Sequence, residues 1–172
     1  MRMGGFRRKV PDGSAAWCTQ VSATLPGRGR PASMDTPPFD ALLGYLGQSE
    51  DHNWTQYICE HVAKGVLRRF EAHDWQRLQK LIAAQPAFWQ QRCTDALGEC
   101  MRPEALPLLF SQLHSSDDDS RILAAYHLQW MEVPVGPEVA DVLREILSRI
   151  PAAERAEYQE ITQLLERALA VG

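Results

Sequence analysis

The chain has 172 residues, of which 45% are apolar and 23% charged, an ordinary composition for a globular domain long enough to bury a core. It has no apolar run of about 18 residues, so we expect no membrane-spanning helix. The net charge of −4 is uneven, because residues 1–33 carry six basic residues against Asp12, whereas residues 34–172 carry 12 basic and 21 acidic residues. The acidic remainder disfavours nucleic acids and anionic membranes as partners.

Residues 1–33 are rich in Gly, Arg, Ser and Pro and show neither helical nor strand periodicity. The apolar stretch 15–22 is too short and polar for a secretory signal, and Gly and Pro would interrupt the helix of a transit peptide. A nucleic-acid-binding arm is a further alternative, which the acidic body disfavours. Met34 is a natural chain start, so we expect residues 1–33 to be a disordered or mis-assigned N-terminal extension and residues 34–172 to form a single all-helical domain.

From Met34 onward the apolar residues recur with the helical period, and no alternating strand or hairpin pattern occurs. Prolines stand just before several periodic segments, where the first turn of a helix tolerates them. Asp74 is a plausible N-cap of the third helix. The sequence predicts eight helices with short, antiparallel connections, at about 37–47, 51–70, 74–82, 86–100, 103–114, 121–131, 137–149 and 151–170.

The predicted helices repeat in pairs. The apolar positions Leu78, Leu81 and Ile82 align with those of the fifth helix at an offset of 28, and these align with the seventh at 33. At an offset of 29, Arg92-Cys93-x-x-Ala96-Leu97 aligns with Arg121-Ile122-x-x-Ala125-Tyr126. A helical hairpin that repeats at this spacing indicates stacking, because one hairpin cannot bury its apolar face alone.

Over residues 73–170 the chain resembles the HEAT-repeat superfamily, whose second helices often carry an Arg and small residues such as Arg92 and Ala96 here. The resemblance implies an all-α fold, a right-handed stack of antiparallel helical hairpins in a HEAT-like α-solenoid of about eight helices. The first two helices would form an irregular capping hairpin, and the last helix lacks the Arg signature. A non-repeating helical bundle is the alternative.

No motif of a catalytic, cofactor or metal site is found. The five histidines are scattered, and the nearest approach to a metal cluster, Cys59-Glu60-His61, places adjacent side chains about 100° apart on a helix. Cys93 and Cys100 lie on an apolar stripe and are expected to be buried thiols of a reducing compartment, as is Cys59. We therefore expect a protein with no catalytic residues, no metal and no cofactor.

The run Asp117, Asp118 and Asp119 is the most polarised feature of the chain. It has two interpretations: Asp or Ser120 caps the sixth helix and complements its dipole, or the three acids form a contact surface. Since three acids exceed what capping requires, we include all three among the candidate partner-binding residues.

The sixth helix has hardly any polar face, which is typical of a helix buried in the middle of a domain. In the alternative interpretation one side of it binds a partner through His127 and Trp130, since Trp is favoured as a binding anchor. Asp95 and Glu99, acids four residues apart on the fourth helix, complete the candidate partner-binding set.

These features predict a cytoplasmic, non-catalytic module that binds another protein, a basic one, by surface occlusion or as a scaffold. Its size, acidity and architecture resemble those of HEAT-like immunity proteins of bacterial antibacterial-toxin systems, which cover the active site of a basic toxin. The alternative is a HEAT-like enzyme such as an alkylated-base DNA glycosylase or a chromophore lyase. A DNA enzyme needs a basic groove, and Arg68, Arg69 and Arg92 are too few to form one.

Overall fold

The computed structural model describes residues 36–170, in which the backbone is helical and contains no strand. The all-α prediction is therefore confirmed for this part of the chain, whereas the predictions for residues 1–33 and for a chain start at Met34 lie outside it. The eight α-helices are α1 (Pro38–Leu46), α2 (Gln56–His61), α3 (Ala72–Leu81), α4 (Ala87–Glu99), α5 (Leu106–Gln112), α6 (Asp118–Trp130), α7 (Ala140–Arg149) and α8 (Gln159–Ala170). None of them is long and apolar enough to cross a membrane.

Two predicted helices are shorter than expected. Helix α2 begins at Gln56, where the side chain of Thr55 accepts a hydrogen bond from the Ile58 amide, and it continues as a π-turn and a 3₁₀ turn to Arg69. Helix α8 begins only at Gln159, because residues 151–158 form turns that end in a 3₁₀ turn.

Helix α3 starts earlier than predicted, and Asp74 is not its N-cap. Glu71 is the N-cap, and Asp74 stands three residues later, where its carboxylate accepts the Glu71 amide at 3.1 Å. The two side chains form a reciprocal capping box, which satisfies two backbone amides that the first turn leaves unpaired.

The even-numbered helices pack against one another in chain order. Helix α4 packs against α2 and the π-turn on one side and against α6 on the other, and α6 packs in turn against α8. Helix α5 contacts both α4 and α6, and α7 contacts both α6 and α8. Helix α6 therefore lies in the middle, as its apolar sequence predicts, with Ala124, Ala125 and Leu128 fully buried.

The helices also repeat in length and in the way they end. Helices α4 and α6 have 13 residues each, begin 31 residues apart, and are followed by the non-glycine residues Met101 and Glu132, both with φ of 51°. The 3₁₀ turns Pro103–Ala105 and Pro137–Val139 lead into α5 and α7. The second helices thus repeat at 31 residues, two more than the offset of 29 at which their sequences align.

At this offset of 31, the position equivalent to Arg121 is Gln90, and both side chains secure the end of the preceding helix. The Nε of Arg121 donates to the carbonyl of Leu113 at 3.0 Å, directly after α5. The Nε2 of Gln90 donates to the carbonyl of Gln85 at 2.8 Å, after the 3₁₀ turn that follows α3.

Arg92 is the central polar residue of the first half of the fold. Its buried guanidinium donates hydrogen bonds to the carbonyls of Leu46, Ser49, Glu50 and His52, at 2.7, 3.2, 2.7 and 2.7 Å. These carbonyls belong to the end of α1 and the segment that follows it. Three of them lie in the segment of turns where the second helix was predicted to start, and that helix begins only at Gln56.

We expect Arg92→Met to lower the free energy of unfolding by about 3 kcal/mol, because it removes the charge and the guanidinium donor from one buried and three partly buried carbonyls. Arg92→Lys should restore only part of the loss, since one ammonium group cannot reach the same set of carbonyls as the planar guanidinium. Urea denaturation followed by circular dichroism measures both changes.

The matched control is Arg144→Met, because Arg144 makes an exposed ion pair with Asp141 within α7. Such a pair contributes about 0.5 kcal/mol or less. Equal losses in the Arg92 and Arg144 variants would contradict the central role of Arg92.

Candidate functional site

The candidate site is the solvent-facing side of the contact between α4 and α6, defined by Asp95 and Glu99 of α4 and by Tyr126 and Trp130 of α6. We call it the α4–α6 face. Asp95, Glu99 and Tyr126 are partly exposed, and Trp130 is exposed. Helices α4 and α6 pack against each other. Asp95 and Glu99 are one turn apart on α4, and Tyr126 and Trp130 are one turn apart on α6, so each pair shares one face of its helix.

The α4–α6 face is joined across the helix pair by Asp95 and His127, two residues of the predicted set that the structure brings together. The Nε2 of His127 lies 3.5 Å from the Oδ1 of Asp95, a distance longer than that of a good hydrogen bond. The Oδ2 of Asp95 accepts the indole N–H of Trp54 at 3.3 Å, which adds the segment before α2 to the same cluster. Sequence reasoning missed Trp54, since nothing in a helical pattern shows that its indole reaches α4.

Gly98 makes this arrangement sterically possible. It lies on α4 beside the imidazole of His127, and a methyl group at position 98 would overlap the Cγ, Nδ1 and Cδ2 atoms of that ring. The ring can therefore occupy this place beside α4 only because residue 98 has no side chain.

The carboxylate of Asp95 is held in its charged form. Burial alone would raise its pKa, but the neighbouring imidazole of His127, the thiol of Cys59 and the indole of Trp54 together lower the pKa below its ordinary value. Its side chain remains about one-third exposed, at 33%. Asp95 therefore presents a carboxylate held in place by these neighbours on the α4–α6 face.

Two aromatic rings of α6 form the apolar part of the α4–α6 face. The rings of Tyr126 and Trp130 stack with centroids 5.9 Å apart, and Tyr126 also meets the His127 ring edge-on. Trp130 is 55% exposed, although it belongs to the most central helix of the fold. Stacking on Tyr126 fixes one side of the indole and leaves the rest accessible to a partner.

The structure confirms the capping interpretation of the acid run for one residue, Asp117. Asp117 is the N-cap of α6, and its Oδ2 accepts hydrogen bonds from the backbone N–H and the hydroxyl of Ser120, both at 2.8 Å. The same oxygen accepts a hydrogen bond from the side-chain amide of Gln91 at 3.0 Å. Ser120, the alternative cap, is a donor in this arrangement. Asp117 is therefore a structural residue that ties α6 to α4.

The other two acids of the run have different surroundings. Asp118 makes ion pairs with Arg149 of α7 at 2.8 Å and with Arg121 at 3.7 Å. Asp119 is exposed. The three acids thus do not form one uniform surface, and Asp118 faces α7 and not the α4–α6 face.

The cysteines of the described range are buried and unpaired with one another. Burial raises the pKa of the thiols of Cys93 and Cys100 above the ordinary value, so both stay protonated and are weak nucleophiles. Cys59 points to Asp95, whereas His61 accepts or donates a hydrogen bond at 3.1 Å to the Tyr45 hydroxyl. In residues 36–170 no group of three or more His, Cys, Asp or Glu side chains is arranged to hold a metal ion.

We expect Gly98→Ala to lower the free energy of unfolding by about 1–3 kcal/mol, because the added methyl overlaps His127. In a His127→Ala background the same change should be neutral or stabilising by up to about 1 kcal/mol, the helix preference of Ala over Gly. Urea denaturation of the four proteins in this double-mutant cycle gives the coupling directly. An equal cost in both backgrounds would show that His127 does not press on position 98.

We expect Asp95→Asn to change the pH dependence of the free energy of unfolding. A carboxyl group whose pKa is lower in the folded than in the unfolded chain stabilises the fold above the ordinary aspartate pKa of about 3.9, and this contribution is lost as pH falls through the lowered value. The variant should therefore be less stable than the wild type by about 2 kcal/mol at pH 7, with the difference shrinking below about pH 4. Thermal denaturation from pH 7 to 3 tests this, with Asp40→Asn on the exposed side of α1 as the control.

The chain matches no protein-family model, no curated protein and no solved structure. The chemistry of residues 36–170 is therefore the basis for any statement about function.

Proposed function

We propose that the chain is a non-catalytic, protein-binding module in which a HEAT-like stack of helical hairpins presents the α4–α6 face to a basic partner. The successive packing of α2, α4, α6 and α8, and the equal lengths and 31-residue spacing of α4 and α6, support the stacked-hairpin interpretation over a non-repeating bundle. Extended faces of this kind suit the binding of another macromolecule.

The single observation that carries the proposal is the exposure of Trp130 on α6, the helix that packs against the acid-bearing face of α4. A half-exposed indole, stacked on Tyr126, has the large, rigid apolar surface that dominates binding energy in protein interfaces. Asp95 and Glu99 on the adjacent helix add carboxylates that would attract basic residues and orient them around the indole.

The distribution of the arginines supports a basic partner over nucleic acid. Arg92 and Arg167 donate to backbone carbonyls, and Arg102 forms an ion pair with Glu104 and donates to the carbonyls at the end of the 3₁₀ turn after α2. Arg121 and Arg149 share Asp118 and Glu145. Much of the positive charge is thus engaged within the fold, which leaves a net acidic surface and little of the basic groove that a DNA glycosylase requires.

Within this class we propose an immunity protein that neutralises a basic antibacterial toxin in the bacterial cytoplasm by covering its active site. Occlusion needs only a rigid complementary surface, and a small acidic helical stack supplies one without catalytic groups. A scaffold for another basic protein uses the same face, and the identity of the captured protein distinguishes the two roles.

The test is an affinity capture from the source organism with residues 34–172, analysed by mass spectrometry and repeated with Trp130→Ala. We expect a basic protein to be captured by the wild type and lost about tenfold or more in the variant, as for a hot-spot residue. The matched control is Leu169→Ala on α8, which removes an apolar side chain of similar exposure, 48%, from another helix.

If the Trp130→Ala and Leu169→Ala variants both capture the partner as well as the wild type does, the role of the α4–α6 face is refuted. Salt-sensitive retention of the chain on duplex DNA, with no protein captured, would favour the glycosylase alternative.

A further inference from the structure

A second site lies between α6, α7 and the turns that precede α8. There the structure has a cavity of about 150 Å³ that opens to solvent, and its lining residues are Asp118, Ile122, Ile146, Arg149, Ile150, Pro151 and Tyr158. A cavity of this volume can hold a molecule of about the size of benzene. It is separate from the α4–α6 face, because Asp118 and Ile122 project from the side of α6 that faces α7.

The interior of the cavity is apolar. Its apolar lining residues are Ile122 of α6, Ile146 of α7, and Ile150 and Pro151, which directly follow α7. The Tyr158 ring forms a further wall. Walls of this kind suit an aliphatic chain, from which they exclude water.

The charged lining residues of the cavity, Asp118 and Arg149, form an ion pair with each other, and further acids lie in the turns that carry Tyr158. Burial, followed by the nearby carboxylates of Glu154, Glu157 and Asp119, raises the pKa of the Tyr158 phenol above its ordinary value. The phenol therefore stays neutral, with its ring available to face a cation.

The charges around the cavity do not cancel. Arg149 on the rim shares Asp118 and Glu145 with Arg121, and the Nε of Arg155 donates to the carbonyl of Ile150 at 3.1 Å. Near these three arginines lie four carboxylates, those of Asp118, Glu145, Glu154 and Glu157. The excess is negative and lies on the side of Tyr158 and the turns before α8.

We infer that this cavity, the basic-side-chain pocket, receives the aliphatic stem and cationic end of a lysine or arginine from the partner protein. The stem would pack on the three isoleucines, and the cation would lie at the rim against the carboxylates and the Tyr158 ring. The inference rests on the proposed function for the source of the side chain, and it gives that function a second anchor beside Trp130.

The pocket can be tested without the partner by using n-butylammonium, which has the stem and charge of a lysine side chain. The chain has six isoleucines, of which Ile122, Ile146 and Ile150 line the pocket while Ile58, Ile82 and Ile161 lie elsewhere. Titration of isoleucine-methyl-labelled protein by NMR should give saturable shifts at the three pocket residues only, with Kd on the order of millimolar. Neutral n-butanol should bind more weakly.

The charge requirement is tested with the double variant Glu154→Gln, Glu157→Gln. Loss of two exposed carboxylates should weaken n-butylammonium binding about fivefold. The control, Glu50→Gln with Glu60→Gln, removes the same charge from the segment after α1 and from α2, and it should leave the affinity unchanged. Equal affinity for n-butanol and n-butylammonium, equal loss in both double variants, or shifts outside the pocket would each overturn the inference.

Partner capture separates this inference from the proposed function. The partner identified with the wild type should bind the Glu154→Gln, Glu157→Gln protein more weakly, and undiminished capture that still depends on Trp130 would refute the pocket's role alone. Absence of any Trp130-dependent partner, together with n-butylammonium binding at the three isoleucines, would refute the proposed function and leave the cation site in place.

Discussion

The fold depends on satisfying the backbone carbonyls at the ends of its short helices. A helix leaves its last carbonyls without intrahelical donors, and a fold of helices with 6 to 13 residues has many such ends close to its interior. Arginine provides several donors on a long stem, so one residue can secure a helix end from a neighbouring element. Arg92 and Arg121 do so at the ends of α1 and α5, with bonds to Leu46 and Leu113, and Arg167 binds the carbonyl of Val133 in the segment after α6.

This use of arginine also determines the electrostatics of the surface. A guanidinium that binds carbonyls, or that is shared between carboxylates as at Asp118 and Glu145, contributes little to the field that an approaching molecule experiences. The carboxylates that remain, Asp95 on the α4–α6 face and those around the basic-side-chain pocket, then dominate. The same residues that close the helix ends thus leave the two candidate binding regions negative.

Much of the fold was predictable from the sequence because its signals are local. The helical period and the prolines indicate eight helices, and the apolar character of the sixth places it in the middle of the fold. Asp117 as a cap follows from its position before that helix. The prediction of Asp74 as a cap was wrong because Glu71, three residues earlier, forms a capping box with it.

The candidate site was less predictable because it depends on contacts between helices. Glycine at position 98 carries no sequence signal of the imidazole that lies against it, and the indole of Trp54 reaches Asp95 across 41 residues. The acid run looked like one feature, yet Asp117 and Asp118 have different partners in three dimensions. Side-chain periodicity shows which face of a helix is apolar, and it does not show which residues of two helices meet.

The contacts of Arg92 also bear on the order in which the chain folds. Its four carbonyl acceptors lie 40 to 46 residues earlier in the sequence, so the end of α1 and the segment after it lack these bonds until α4 has docked. Local helices form quickly, whereas contacts over such separations require the closure of a long loop. The first hairpin should therefore become protected from amide hydrogen exchange together with α4, although it leaves the ribosome earlier.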